Sequence, residues 1–224
     1  MKNIAIRKRR APNHLALWGA ISLCLAVTEA QAAYPGQPIA VHGDSTAIGS
    51  RIPLLEKYWN IFPQLDGARW WNQLSQSYRP ARPVFNDGVG GQSIVTMRRK
   101  MEQDVLHRRD TTIIYDRRND GENANSYVEN LAAALATLAT DHFLIMPQVP
   151  RADAESPQDL AVLKKIDGLV SARWPHNSFS GPERQRFLAA LAFLDTRDDG
   201  LHRNRKGQAI EARLIKAWLN ARGW

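Results

Sequence analysis

Four short apolar runs, each closed by glycine, proline or polar residues, mark the chain beyond residue 37. They are Pro38-Ile39-Ala40-Val41-His42 before Gly43, Arg82-Pro83-Val84-Phe85-Asn86 before Gly88, Gly90 and Gly91, Thr111-Thr112-Ile113-Ile114-Tyr115, and His142-Phe143-Leu144-Ile145-Met146 before Pro147 and Pro150. Runs of this length without polar alternation predict strands covered on both faces. Between them apolar residues recur at three- and four-residue steps. Ile94, Met97, Met101 and Val105 predict a helix over 93–108, and Val128, Leu131, Leu135 and Leu138 one over 126–139. Leu160, Leu163, Ile166, Leu169 and Val170 predict a third over 159–174, and Ile210, Leu214, Ile215 and Trp218 a fourth over 207–219. Each has one apolar stripe to pack on a sheet. Alternation of strand and helix implies parallel strands joined by crossover helices, and so a single α/β domain. Its architecture is a three-layer α/β/α sandwich with a central, mostly parallel sheet.

The front of the chain reads differently. Lys2, Arg7, Lys8, Arg9 and Arg10 precede an uncharged, mostly apolar run from Leu15 to Val27, which ends at Ala30-Gln31-Ala32. That run is too short for a spanning helix, which needs about 20 residues. A basic start, a short apolar stretch and a small-x-small end predict a signal peptide over residues 1–32, cleaved after Ala32. The expected product is an exported domain, residues 33–224, periplasmic or secreted, without stable membrane insertion after cleavage. Cys24, the single cysteine, would leave with the signal, so a disulfide framework is excluded. The bulky Leu23 before it argues against a lipoprotein.

Charge and composition narrow the classes further. Of the formal charge of +8, residues 1–32 carry five basic side chains against Glu29 alone, which accounts for half. The remainder is spread along the chain, without the concentrated basic face that nucleic-acid binding needs. With 44% apolar residues, 224 residues can build a core, which excludes a disordered chain. No glycine-rich phosphate loop with a following lysine appears, and His42, His107, His142 and His176 lack metal-ligand spacing. The expectation is chemistry without a metal or organic cofactor.

In open α/β sheets, ligands sit beyond the carboxyl ends of the strands. The first strand is followed by Gly43-Asp44-Ser45-Thr46, the second by Asp87-Gly88-Val89-Gly90-Gly91-Gln92-Ser93, and the third by Asp116-Arg117-Arg118-Asn119-Asp120. Ahead of the last helix stands Asp198-Asp199-Gly200-Leu201-His202. A serine hydroxyl needs a base to take its proton before it is a useful nucleophile. Ser45 at a strand-to-helix turn is the candidate nucleophile and His202 the candidate base. Asp199, three residues before His202, can set the imidazole tautomer and support the imidazolium. Asp195 and Asp198 are the competing carboxylates, and the three-residue step favours Asp199. Gly91, with Gly90 and Gly88 beside it, can bring an N–H close to a substrate oxygen, and the Asn119 amide can supply another donor.

These four blocks, in this order from residue 43 to residue 202, resemble the SGNH hydrolases, also called GDSL esterases/lipases. The marks are Gly43-Asp44-Ser45, the Asn86–Gly91 block, Arg118-Asn119-Asp120 and Asp199-Gly200-Leu201-His202. One departure is Arg117, which stands where the family has glycine two residues before the asparagine. The resemblance implies a flavodoxin-like SGNH hydrolase fold, with Ser45, Asp199 and His202 catalytic. It also implies an oxyanion hole from the Ser45 and Gly91 N–H groups and the Asn119 side chain. Arg117, Arg118 and Asp44 border the expected site and are candidate substrate contacts. Trp59, Trp70 and Trp71 could stack on sugar rings, although Trp70 and Trp71 read first as core anchors. The expected reaction is hydrolysis of a small acyl ester, acetyl first, on a saccharide or cell-envelope glycan. Longer-chain lysophospholipase, arylesterase or thioesterase activity, and a catalytically silent saccharide-binding module, are the alternatives.

Overall fold

Residues 37–49, 68–119, 121, 123–151, 155–192, 196 and 199–224 are described by a computed structural model. The expected signal segment lies outside them, as do Trp59, Asp120, Asp195 and Asp198. Four parallel strands form one sheet in the order β2-β1-β3-β4: β1 Ile39–Gly43, β2 Val84–Asn86, β3 Thr111–Tyr115 and β4 Phe143–Ile145. β1 and β3 run in register from Ile39 opposite Thr111 to Gly43 opposite Tyr115. All four expected strands are present: β3 spans the expected residues, β1 is shifted by one to include Gly43, and β2 and β4 are each two residues shorter.

The helices are α1 Ser45–Ile48, α2 Trp70–Gln76, α3 Ile94–Gln103, α4 Ala124–Leu135, α5 Pro157–Arg173, α6 Gly181–Ala190 and α7 Arg205–Asn220. The period of two along each strand divides them into two layers. Ile113, Tyr115 and Leu144 face one core, which also holds Trp70 and Leu74 of α2, Phe187 of α6, and Ile215, Trp218 and Leu219 of α7. Ile114 and Ile145 face the other, against Met97 and Met101 of α3, Leu131 of α4 and Ile166 of α5. The three-layer α/β/α sandwich follows directly. Among the described residues no helix is long and apolar enough to cross a membrane.

Local chemistry sets most helix starts. Ser93, Asn123, Ser156 and Asn204 each accept an N–H from the first turn of α3, α4, α5 and α7, satisfying donors that the helix itself leaves open. Helix ends departed more from expectation. The 93–108 helix stops at Gln103, because the Asp104 carboxylate takes the N–H groups of Leu106 and His107. Val105, expected in the stripe, is consequently exposed. In α7 the buried face is set partly by polar residues: Gln208 and Glu211 are interior, while Ile210 and Leu214 are only half-buried. Helices α2 and α6 are additions to the expected set. α6 buries Phe187 but no other residue of its own, too little for an apolar period to show.

Candidate active site

The sheet order places β1 beside β3, with β2 on one side and β4 on the other. The connections after β1 and β3 therefore leave in opposite directions, and a crevice opens beyond their carboxyl ends. The first turn into it depends on glycine. A Cβ on Gly43, whose φ is 150°, would lie 1.9 Å from the Tyr115 carbonyl oxygen. Asp44 then caps α1: one carboxylate oxygen accepts the Thr46 N–H at 2.8 Å and the Thr46 hydroxyl.

A four-residue helix cannot hold itself. Side chains from elsewhere hold α1 by its carbonyls. Trp70 Nε1 donates to the Thr46 carbonyl at 3.1 Å, Asn86 Nδ2 to that of Ala47 at 2.9 Å, and Trp71 Nε1 and Arg69 both to that of Ile48. Trp70, fully buried, is thus a core anchor. Ser45 heads this clamped turn, and its N–H has no acceptor within the helix.

The block after β2 folds over Ser45. Val89 N–H donates to the Gly43 carbonyl at 3.0 Å, and Gly88 N–H to the Asn86 side chain at 2.9 Å. Gly88 is therefore already engaged, which narrows the glycine donors to the Gly90–Gly91 turn. A Cβ on Gly90 would sit 4.0 Å from that of Ser45, and Gly91, at φ 71°, has open space around it. Gln92 closes the block. Its side-chain amide donates to the Gly43 carbonyl, and its own carbonyl accepts Asn119 Nδ2 at 3.0 Å.

Asn119 also donates to the second Asp44 carboxylate oxygen at 2.7 Å. Both hydrogens of its amide are thus engaged, by Asp44 and by the Gln92 carbonyl. The loop that carries Asn119 is held from behind by Gln148, which donates to the Asp116 carbonyl and the Tyr127 hydroxyl and accepts the Arg118 N–H.

Arg117, Arg118 and Asp44, the candidate substrate contacts, all have partners within the protein. Arg117 pairs with Glu155 and donates to the Val149 carbonyl at 3.2 Å, and Arg118 pairs with Asp159 at 3.1 Å. The two guanidiniums brace the β3–α4 loop against the segment entering α5. Asp44 is buried, with both oxygens committed within the protein.

The final block meets the first. His202 Nε2 lies 2.8 Å from Ser45 Oγ, across 157 residues of chain. Its Nδ1 lies 2.9 and 3.1 Å from the two Asp199 oxygens, one of which also accepts the His202 N–H at 2.8 Å. Burial pushes the Asp199 carboxyl up, but the His202 N–H, the imidazole and the Leu201 N–H outweigh it and hold the group at about 2. Among the described residues no group of three or more His, Cys, Asp or Glu is arranged to hold a metal ion.

Gln92 and Gln148 escaped the sequence reading. Gln92 stands inside the block already singled out. Gln148 follows β4 as the other site residues follow β1, β2 and β3, so the same strand-end rule applied to the fourth strand points to it.

No family model matches the chain, and no curated protein matches it. Solved structures do. A member of the lipolytic G-D-S-L family from Veillonella parvula superposes with a TM-score of 0.59 at 18% identity, over 82% of this chain and 96% of its own. The psychrotrophic esterase EstA from Pseudoalteromonas sp. gives 0.60 at 17%, over 82% and 99%. An acetyl-xylooligosaccharide esterase from Geobacillus gives 0.57 at 16%, over 82% and 94%. At such identities the likeness is one of fold: this chain has the fold of the GDSL, or SGNH, lipolytic proteins.

Proposed function

We propose that this chain, built on the GDSL/SGNH hydrolase fold, is a serine esterase that works through an acyl-enzyme. The observation that carries the reading is the line from Asp199 through His202 to Ser45, with 2.9 Å and 2.8 Å separations. A histidine placed so takes the Ser45 proton on Nε2 as Oγ attacks the ester carbonyl. Asp199, ionised down to about pH 2, keeps the remaining proton on Nδ1 and supports the imidazolium. The N–H groups of Ser45 and Gly91 and the Asn119 amide are the proposed donors to the oxyanion. For Asn119 this requires exchanging the Gln92 carbonyl for substrate oxygen, so the donor is drawn in as charge develops. The imidazolium then gives its proton to the leaving alcohol. Water, activated by the same imidazole, releases the acid and restores Ser45.

The substrate we propose is a small acyl ester, acetyl first, on a saccharide or cell-envelope glycan. Support comes from the sequence reading and from the acetyl-xylooligosaccharide esterase among the fold relatives. Export after removal of residues 1–32 belongs to the same proposal, and amino-terminal sequencing of secreted material starting at Ala33 would bear it out. A fluorophosphonate probe followed by peptide mapping tests the chemistry. Labelling is expected at Ser45 and lost in His202→Ala, and labelling elsewhere would overturn the reading. Activity on p-nitrophenyl esters is expected to peak at C2, and a peak at C8 or above would replace the acetyl proposal with a long-chain esterase.

A further inference from the structure

The residue after the candidate base is tied to a buried carboxylate. Arg203 donates to the Leu201 carbonyl at 2.9 Å, and its Nε lies 3.7 Å from Glu211 on α7. Glu211, 1% exposed, accepts the hydroxyl of Tyr115, the last residue of β3. One turn earlier on α7, Gln208 donates to the Arg203 carbonyl at 3.3 Å and accepts the Trp70 N–H at 2.8 Å. On the other flank, Arg151 reaches the Asp199 carbonyl at 3.4 Å. The start of α7 is packed closely against this loop. A Cβ on Gly207 would come within 2.3 Å of the Thr196 carbonyl oxygen and 3.1 Å of the Arg203 Cβ.

Stability alone is a poor reason for Glu211. It falls on the helix face shared by Ala212, Ile215 and Trp218, where an apolar side chain would pack without desolvating a charge. What the carboxylate adds is direction. Tyr115 pairs in register with Gly43, two residues before Ser45. Burial, reinforced by the Glu211 charge, pushes the Tyr115 phenol well above its usual range, so it stays a hydroxyl donor. The chain of contacts Gly43–Tyr115–Glu211–Arg203–Leu201 thus references the histidine loop to the strand that delivers the serine.

We propose that Glu211 is a positioning residue which, through Arg203, fixes the Leu201–His202 backbone so that the imidazole stays within hydrogen-bond reach of Ser45. The inference rests on the serine-esterase reading, and its consequence is kinetic. A misplacement of about 1 Å costs on the order of 100-fold in rate, so a loosened loop lowers kcat and leaves substrate affinity alone.

The test uses Glu211→Gln, Arg203→Met and the double variant Arg203→Met/Glu211→Met. Glu211→Gln is expected to lower kcat for a p-nitrophenyl ester roughly 10- to 100-fold with KM within about twofold. The double variant, which removes both charges together, is expected to recover thermal stability relative to Arg203→Met while kcat stays low. Unchanged kcat in Glu211→Gln, or kcat that rises and falls with the melting temperature across the set, would overturn the proposal. The downfield proton resonance of His202 Nδ1–H supplies a readout that needs no turnover. It is expected to be sharp in the parent protein and broadened in Glu211→Gln, and an identical signal in both would also overturn the proposal. If the parent and Ser45→Ala hydrolyse ester equally slowly, the esterase reading fails, and the resonance still decides the clamp.

Discussion

The chain contains nearly the same five residues twice. Asp104-Val105-Leu106-His107-Arg108 lies between α3 and β3, and Asp199-Gly200-Leu201-His202-Arg203 lies ahead of α7. Their local geometry is also nearly the same. In each, one carboxylate oxygen accepts the N–H groups two and three residues on, and the histidine Nδ1 sits 2.9 Å from the other oxygen. The surroundings differ completely. His107 stacks flat on Phe85, with ring centroids 3.9 Å apart, whereas His202 points its other nitrogen at Ser45. Leu106 is exposed and Leu201 buried. Arg108 turns to the carbonyls of Glu102 and Asp104, while Arg203 turns to Leu201 and the buried Glu211. An aspartate and histidine three residues apart therefore make a turn on their own, because the carboxylate finds the nearest N–H groups. Becoming a candidate catalytic pair requires a serine brought from 157 residues away.

Substitutions at matched positions break this comparison most sharply. His202→Ala is expected to lower kcat/KM for ester hydrolysis by roughly 10⁴-fold or more, and His107→Ala to leave it within about twofold. A large loss in both would mean that the outer pair serves catalysis too. Next in size, Asp199→Asn is expected to cost about 100- to 10,000-fold in kcat, since the amide no longer enforces the Nδ1–H tautomer. Asp104→Asn should change only stability, by about 1 kcal/mol or less, measured by denaturant unfolding.

The smallest effect is on acid stability. The folded Asp199 carboxyl is held at about 2 against an ordinary 3.8. Because the folded value is the lower one, the unfolded chain binds more protons in this range, and stability falls as the acid concentration rises. The contribution of Asp199 is complete above about pH 4 and lost as pH falls to about 2. Melting temperatures of the parent should drop more steeply than those of Asp199→Asn across that window. Parallel slopes would mean the carboxylate gains nothing from the turn.

Much of the sheet was legible because its signals are short-range. Continuous runs such as Thr111–Tyr115 announce strands covered on both faces, and the stripes of α4 and α5 match the observed cores at Leu131 and Ile166. Ser45, Asn119, Asp199 and His202 were legible as well, each standing where a strand ends or a helix is about to begin. The departures have physical reasons. Asp104 ended α3 early by capturing N–H groups that the apolar period had assigned to a helix. The carboxylate partners of Arg117 and Arg118, Glu155 and Asp159, could not be read from the local sequence because they are about 40 residues further along. Gln208 and Glu211 stand outside the apolar stripe expected for α7 and are nonetheless buried, since a polar residue enters a core when its partners wait there.

The amino-acid order by itself determined which segments become strands, which turns are glycine-dependent, and that an aspartate three residues ahead of a histidine will grip it. Those outcomes depend on contacts within a few residues, where chain entropy allows little choice. Tertiary structure alone decided which of two near-identical turns faces Ser45, where Arg117 and Arg118 find their counter-charges, and that a glutamate on the inner face of α7 braces the histidine loop. Such pairings join residues far apart in the chain, and only the packing of helices on the sheet brings them within the few ångströms over which hydrogen bonds act.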